Sequence, residues 1–165
     1  MSYAPTLTRP VLADALVRNR SLVSDIALVS AGVAIVALLA QVEIPMFPVP
    51  ITGPPLGVVL VGAVLGSRRG ALALGAYMVL GVVGLPIFAG FSGGFAAVLK
   101  PSFGFVLGFI LAAAIAGWFA ERRWDRSVGW GFLGFIAASI VPFLFGVPYM
   151  MLIMGTVFGA PIGVS

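Results

Sequence analysis

Five apolar blocks run along the chain, at residues 24–40, 54–66, 71–84, 105–120 and 128–147, separated by stretches that are basic or rich in glycine and proline. Uninterrupted apolar runs of this kind predict membrane-spanning helices. At about 1.5 Å per residue the first block is roughly 25 Å long, just short of the ~30 Å hydrocarbon core. The second and third blocks are shorter still, so neighbouring helices must shelter them or the bilayer must thin locally. Residues 1–23 form a polar arm with room for a short amphipathic helix near 11–17. Residues 148–165 are apolar but interrupted by glycine and proline, and predict a partial sixth helix. Within the first block, Ala27 and Ala31 make a pair of small residues four apart, with Gly32 and Ala34 alongside. Such a pair lets another backbone come close, although an alanine-rich helix with no special partner has the same pattern.

Two interruptions stand out. Residues 41–55 hold five prolines, at 45, 48, 50, 54 and 55. These exclude a helix through the middle of the stretch and push each preceding residue toward extended backbone. Pro54 and Pro55 suit the first turn of the helix that follows, where a missing N–H costs nothing. The second interruption, residues 85–104, mixes glycines, prolines and one lysine between two apolar blocks. Backbone that is not helical beside a bilayer must be buried in protein or line a cavity. It is the natural place to look for a ligand.

Composition turns the pattern into a class. Of the 165 residues 61% are hydrophobic and 8% charged, against roughly 25% charged in a soluble domain. With a mean hydropathy of +1.20, the fold class is an all-α integral membrane protein. Residues 1–23 are expected to be a cytoplasmic arm and 24–165 one transmembrane helical domain. The first 20 residues lack the apolar core of a secretory signal, so no cleaved leader is expected. The pI of about 10.4 is explained by the sidedness of the basic residues. With the N-terminus inside, Arg9, Arg18, Arg20, Arg68, Arg69, Arg122, Arg123 and Arg126 all fall on the cytoplasmic face and Lys100 alone falls outside. That is the positive-inside pattern of a multi-pass protein of the cell membrane. It removes the need for nucleic acid as a partner, and leaves membrane lipid as the surroundings. Trp118 and Trp124 flank the basic stretch 121–126 as interfacial aromatics do.

Candidate chemistry is sparse. The chain has no cysteine and no histidine, so disulfides, a metal centre and a histidine-assisted nucleophile have no ligands or base to build from. No phosphate-binding Gly-x-x-x-x-Gly-Lys-[Ser/Thr] loop is present, so the chain is not itself an ATPase. An enzyme is not expected, nor a cofactor. Away from the cytoplasmic face the only charges are Glu43 and Lys100, one in each interruption, and such groups are candidate ligand contacts. Lys100 can pair an anion or snorkel to the interface; Glu43 can accept hydrogen bonds from a ligand or stay solvated. Ser92, Gly93 and Gly94 offer a hydroxyl and closely approachable backbone, or simply a turn. Phe88, Phe91, Phe95 and Phe103 supply an apolar wall, or an interfacial aromatic belt. Thr52 and Gly53 end the proline stretch at a helix start, where free N–H groups favour negative charge.

Read in order, Phe47-Pro-Val-Pro-Ile-Thr-Gly53, Leu65-Gly-Ser-Arg-Arg-Gly-Ala71, Gly84-Leu-Pro-Ile-Phe-Ala-Gly90 and Ser92-Gly-Gly94 resemble the BioY family of biotin transporters, over about residues 24–120. The resemblance implies a six-helix bundle, of which about five helices and a partial sixth are present here. It implies a substrate-binding subunit that captures biotin from outside with the loops after helices 1 and 3. Delivery inward then occurs with an energy-coupling-factor (ECF-type) coupling subunit and ATPase subunits, or alone. Ala27 and Ala31 take the place of the residues that face the coupling subunit. The implied substrate-binding residues are Glu43, Thr52, Gly53, Phe88, Ser92, Gly93, Gly94, Lys100, Ser102 and Phe105. Ser102 and Phe105 stand at the Thr and Tyr of a family Gly-Pro-Thr-Gly-Gly-Tyr signature. The chain departs from the pattern at Pro54, where the family usually has Gln, and at Phe91, where it usually has Gly. It also lacks a Pro-Gly-Asp segment followed by Lys before Ser165, as a truncated or divergent member would. A subunit for another small vitamin and a non-transporting membrane scaffold are the alternatives.

Overall fold

A computed structural model describes residues 11–16, 21–44, 51–122 and 128–156. The arginines at 9, 18, 20, 123 and 126, the prolines at 45, 48 and 50, Trp124 and residues 157–165 lie outside the described residues. Six helices and one hairpin follow in the order α1 (Leu12–Leu16), α2 (Leu22–Ala40), β1 (Glu43–Ile44), β2 (Ile51–Thr52), α3 (Pro54–Leu65), α4 (Ser67–Val83), α5 (Phe103–Glu121) and α6 (Val128–Thr156). The membrane all-α class expected from the sequence holds. Leu22–Ala40, Phe103–Glu121 and Leu133–Thr156 are each long and apolar enough to cross a bilayer.

The helix ends follow from local chemistry. Ser21 and Ser24 cap α2 reciprocally: the Ser24 N–H donates to Ser21 Oγ at 3.2 Å and the Ser21 N–H to Ser24 Oγ at 3.1 Å. This starts the helix two residues before the apolar block. Pro54 and Pro55 occupy the first turn of α3 as expected. The basic stretch 67–70, which separates two apolar blocks in the sequence, is the first turn of α4. The chain reverses at Gly66 alone, whose φ of 86° suits glycine. Glu121 makes this possible by accepting the Ser67 N–H at 2.7 Å, satisfying a free donor of α4 from the far end of α5.

A second departure concerns the end of the chain. The fifth block runs on as helix through Pro148 to Thr156, so the predicted break at 148 is absent and residues 148–156 belong to α6. Two prolines inside one helix each remove a backbone hydrogen bond. In a bundle such a helix persists because neighbours pack against the weakened turns.

Helix α5 is the axis of the bundle, packed against α3, α4 and α6. Its buried positions are mostly small and recur every fourth residue, Gly104, Gly108, Ala112 and Ala116 on one row and Phe109, Ala113 and Gly117 on the next. Small residues at this spacing let backbones approach closely. A Cβ built on Gly108 would stand 2.5 Å from the Cα of Pro142, and one on Gly62 of α3 would overlap the Ala113 carbonyl. The reverse fit occurs at Gly146 of α6, where the Phe105 ring takes the space of a side chain. The outer surface is apolar, with Leu38, Leu60, Leu72, Val79 and Leu144 all exposed, as lipid-facing positions should be.

One end of the bundle carries the described arginines, Arg68, Arg69 and Arg122. Arg69 bridges α1 and α2, contacting Asp14 at 2.8 Å and Asp25 at 2.7 Å. Arg122 lies 3.5 Å above the Trp118 ring, a cation–π contact at the interfacial aromatic. At the other end of α2 the chain enters the hairpin, where β1 and β2 pair antiparallel with Glu43 opposite Thr52 and Ile44 opposite Ile51. The sequence predicts an extended stretch here but not its pairing.

Candidate functional site

A cavity of about 590 Å³ opens at the hairpin end, between the two interruptions noted in the sequence. That volume lies within the roughly 300–1,000 Å³ that encloses small ligands. The hairpin contributes Glu43, Ile51 and Thr52, and the start of α3 contributes Pro54 and Pro55. The 84–102 loop adds Phe88, Ala89, Gly90, Ser92, Lys100 and Ser102. Helix α5 supplies Phe103, Phe105 and Phe109, and α6 supplies Ser139, Pro142 and Phe143.

Seven of the ten residues expected from the sequence therefore line one space: Glu43, Thr52, Phe88, Ser92, Lys100, Ser102 and Phe105. The three glycines do not. Gly53 packs against the Leu39 carbonyl, Gly93 against that of Leu85, and Gly94 donates its N–H to the Gly81 carbonyl at 2.7 Å. They fix the loops that carry the lining residues. The aromatic wall also differs in part from expectation. Phe88 and Phe103 face the cavity, whereas Phe91 and Phe95 are 71% and 73% exposed. Phe105, Phe109 and Phe143 complete the apolar wall instead.

Phe88 is the centre of this wall. Its ring fills the space left by Gly81 and stands edge-on to Tyr77 (5.3 Å between centroids) and Phe103 (6.2 Å). Phe103 in turn meets Tyr149 at 6.1 Å, and the Tyr149 hydroxyl donates to the Val98 carbonyl. One aromatic chain thus joins α4, the loop, α5 and α6, and each edge-to-face pair adds roughly 0.5–1.5 kcal/mol beyond area burial.

The loop is shaped by the turn at Ala89–Phe91. The Phe88 N–H donates to the Ser92 carbonyl at 3.0 Å and the Ser92 N–H returns to Ala89 at 3.4 Å. Gly90 and Phe91 both have positive φ, 65° and 52°. Phe91 is the one non-glycine residue in that region among the described residues. Its backbone is held by Gln41, the last cap of α2. Gln41 Oε1 accepts the Phe91 N–H at 3.0 Å, and Gln41 Nε2 donates to Ala37 (2.9 Å), Phe88 (3.3 Å) and, more weakly, Ile87 (3.5 Å) carbonyls.

Among the described residues, Glu43 and Lys100 are the only charged ones lining the cavity. Glu43 lies against Gly90, where a Cβ would come 3.1 Å from Oε1. Neither side chain carries a salt bridge to another described residue, so both are free to meet a ligand. Among the described residues there is no cluster able to hold a metal ion. Tyr77, Phe109, Ser139 and Phe143 were missed from sequence. A signal existed for Ser139, the one hydroxyl residue within the fifth block, since polar groups inside spans mark ligand paths.

The chain is similar to known proteins. The pattern of the BioY family matches residues 10–164. Biotin transporter BioY of Rhizobium etli is 34% identical over 136 residues, covering 78% of this chain and 73% of that protein. Biotin transporter BioY of Thermotoga maritima is 39% identical, covering 67% and 69%. The probable biotin transporter BioY of Pyrococcus horikoshii is 42% identical over 93 residues, and the chain spans 57% of its length. The crystal structure of the S-component for biotin from an ECF-type ABC transporter superposes with a TM-score of 0.60 at 25% identity, covering 82% of this chain and 72% of that one.

Proposed function

The chain belongs to the BioY family, and from that premise we propose that it is a membrane-embedded substrate-binding subunit for biotin uptake. The observation that carries this reading is the cavity itself, apolar along one wall and bearing one acid and one base at its rim. Biotin has matching chemistry: two fused rings, a ureido group with two N–H donors and a carbonyl, and a chain ending in a carboxylate. The rings pack on Phe88, Phe105 and Phe109. Glu43 accepts from the ureido N–H groups, the hydroxyls of Thr52, Ser92 and Ser102 complete their hydrogen bonds, and Lys100 pairs the carboxylate. Gly53, Gly93 and Gly94 act by holding the loops.

The arginine-bearing end, with Arg68, Arg69 and Arg122, faces the cytoplasm, and the cavity mouth faces outside. Ala27 and Ala31 are exposed on α2 and form the face on which a transmembrane coupling subunit docks, in company with ATPase subunits. The protein binds and hands over its substrate without altering it.

Retention of radiolabelled biotin by the purified protein in lipid nanodiscs tests the reading, with uptake by cells co-expressing a coupling module as the second measurement. Retention no greater than that of empty nanodiscs refutes it.

A further inference from the structure

We propose that Gln41 is the positioning residue that holds the cavity wall in place, by tying the end of α2 to a turn that is strained without it. Both the oxygen and the nitrogen of the carboxamide are engaged. Its oxygen takes the Phe91 N–H, while its nitrogen reaches the Ala37 carbonyl on its own helix and the Phe88 carbonyl on the loop. The opposite orientation would set oxygen against carbonyls, so the hydrogen-bond pattern determines which atom faces which. Between the two tethered residues lie Ala89 and Gly90, and these line the cavity together with Phe88.

The turn needs such support. Both Gly90 and Phe91 have positive φ, and at Phe91 that conformation is disfavoured by the side chain. The Phe91 side chain is 71% exposed, so packing does not compensate. A strained turn persists where its surroundings over-determine it; here Phe88–Ser92 and Ser92–Ala89 bonds close the turn, and the Gln41 carboxamide ties it to the end of α2. Loss of that contact lets the turn relax, and the wall beside Phe88 moves with it. Because Gln41 caps α2, a displacement of the end of that helix reaches the cavity wall directly. Gln41 does not line the cavity, so it acts on a ligand only through the loop.

The test uses the full chain in detergent micelles. Amide hydrogen exchange at Phe91 is measured first, without ligand, in the wild type, Gln41→Met and Gln41→Glu. Removing the acceptor in Gln41→Met raises Phe91 exchange about tenfold, the worth of one such hydrogen bond, while α5 amides keep their protection. Gln41→Glu keeps an acceptor for Phe91 but sets its second oxygen against the Ala37 and Phe88 carbonyls, so Phe91 exchange rises there too, by less than in Gln41→Met. Adding Phe91→Gly to Gln41→Met relieves the strain, so the Phe88 and Ser92 amides, which are bonded within the turn, return toward wild-type protection. Equal Phe91 exchange in wild type and Gln41→Met overturns the proposal. The second arm is the dissociation rate of biotin, which rests on the reading of the cavity as the biotin site. Gln41→Met releases biotin faster by a similar factor, and an unchanged rate overturns the positioning role. Should the wild type bind no biotin, that reading fails and the exchange arm alone decides the role of Gln41.

Discussion

The carboxamide oxygen of Gln41 accepts the N–H of Phe91 at 3.0 Å, fifty residues on, and Phe91 is held there with a φ of 52°. For an L-residue with a Cβ this left-handed conformation costs about 1–2 kcal/mol. The two interruptions of the apolar pattern thus meet at a strained point, and the cavity lies beside it.

Phe91→Gly should stabilise the protein. The strain relieved exceeds the added backbone entropy of glycine, roughly 0.5–1 kcal/mol, and leaves a net gain of about 0.5–1 kcal/mol. A thermal melt in detergent should show a midpoint a few degrees higher; a lower midpoint would mean that the exposed ring contributes packing after all.

Gly108→Ala should do the reverse. The new methyl group meets the Cα of Pro142 at 2.5 Å, and backbone cannot move aside as a flexible side chain could. Overpacking of this kind costs about 1–3 kcal/mol, read as a lower melting midpoint and a smaller monodisperse fraction on size exclusion.

Lys100→Met should weaken biotin binding by about tenfold, consistent with loss of a charge-assisted hydrogen bond at an exposed rim. Biotin methyl ester, which lacks the carboxylate charge, should bind wild type and variant alike. Equal losses for acid and ester would remove Lys100 from the carboxylate end.

Arg69→Met should loosen the arginine-bearing end. It removes the contacts to Asp14 and Asp25, leaving two partly sheltered carboxylates without their common partner. Breaking a half-buried ion pair from one side costs more than the ~0–1 kcal/mol of an exposed pair. Proteolytic cleavage near α1 should accelerate, while biotin binding at the far end stays unchanged.

Ala31→Leu should leave biotin binding by the isolated subunit intact and abolish its co-purification with a coupling subunit. The residue is exposed on α2 and does not line the cavity, and a larger side chain keeps another backbone from approaching. Undiminished co-purification would place the docking face elsewhere.

Much of this protein was legible in its sequence. Apolar blocks locate helices because lipid requires every backbone group to be satisfied within its own segment. Proline and glycine runs locate the breaks for the complementary reason, and the charges Glu43 and Lys100 stand out because a membrane protein has so few. Helix limits were less legible. Ser67 begins α4 because Glu121 reaches it from fifty-four residues away, and α6 passes through Pro148 where local preference predicts a stop. The cavity wall could not be read either. Phe88, Phe91, Phe95 and Phe103 are equivalent as a list of aromatics, yet Phe88 and Phe103 turn inward while Phe91 and Phe95 turn out. What separates them is the glycine surface of α4 that receives Phe88 and the Gln41 contact that reverses the chain at Phe91. Composition and pattern determined that this chain is a membrane bundle with two loops that break its apolar pattern. Which side chains those loops share was decided by packing between distant segments, because close approach and hydrogen-bond geometry exist only once the helices have assembled.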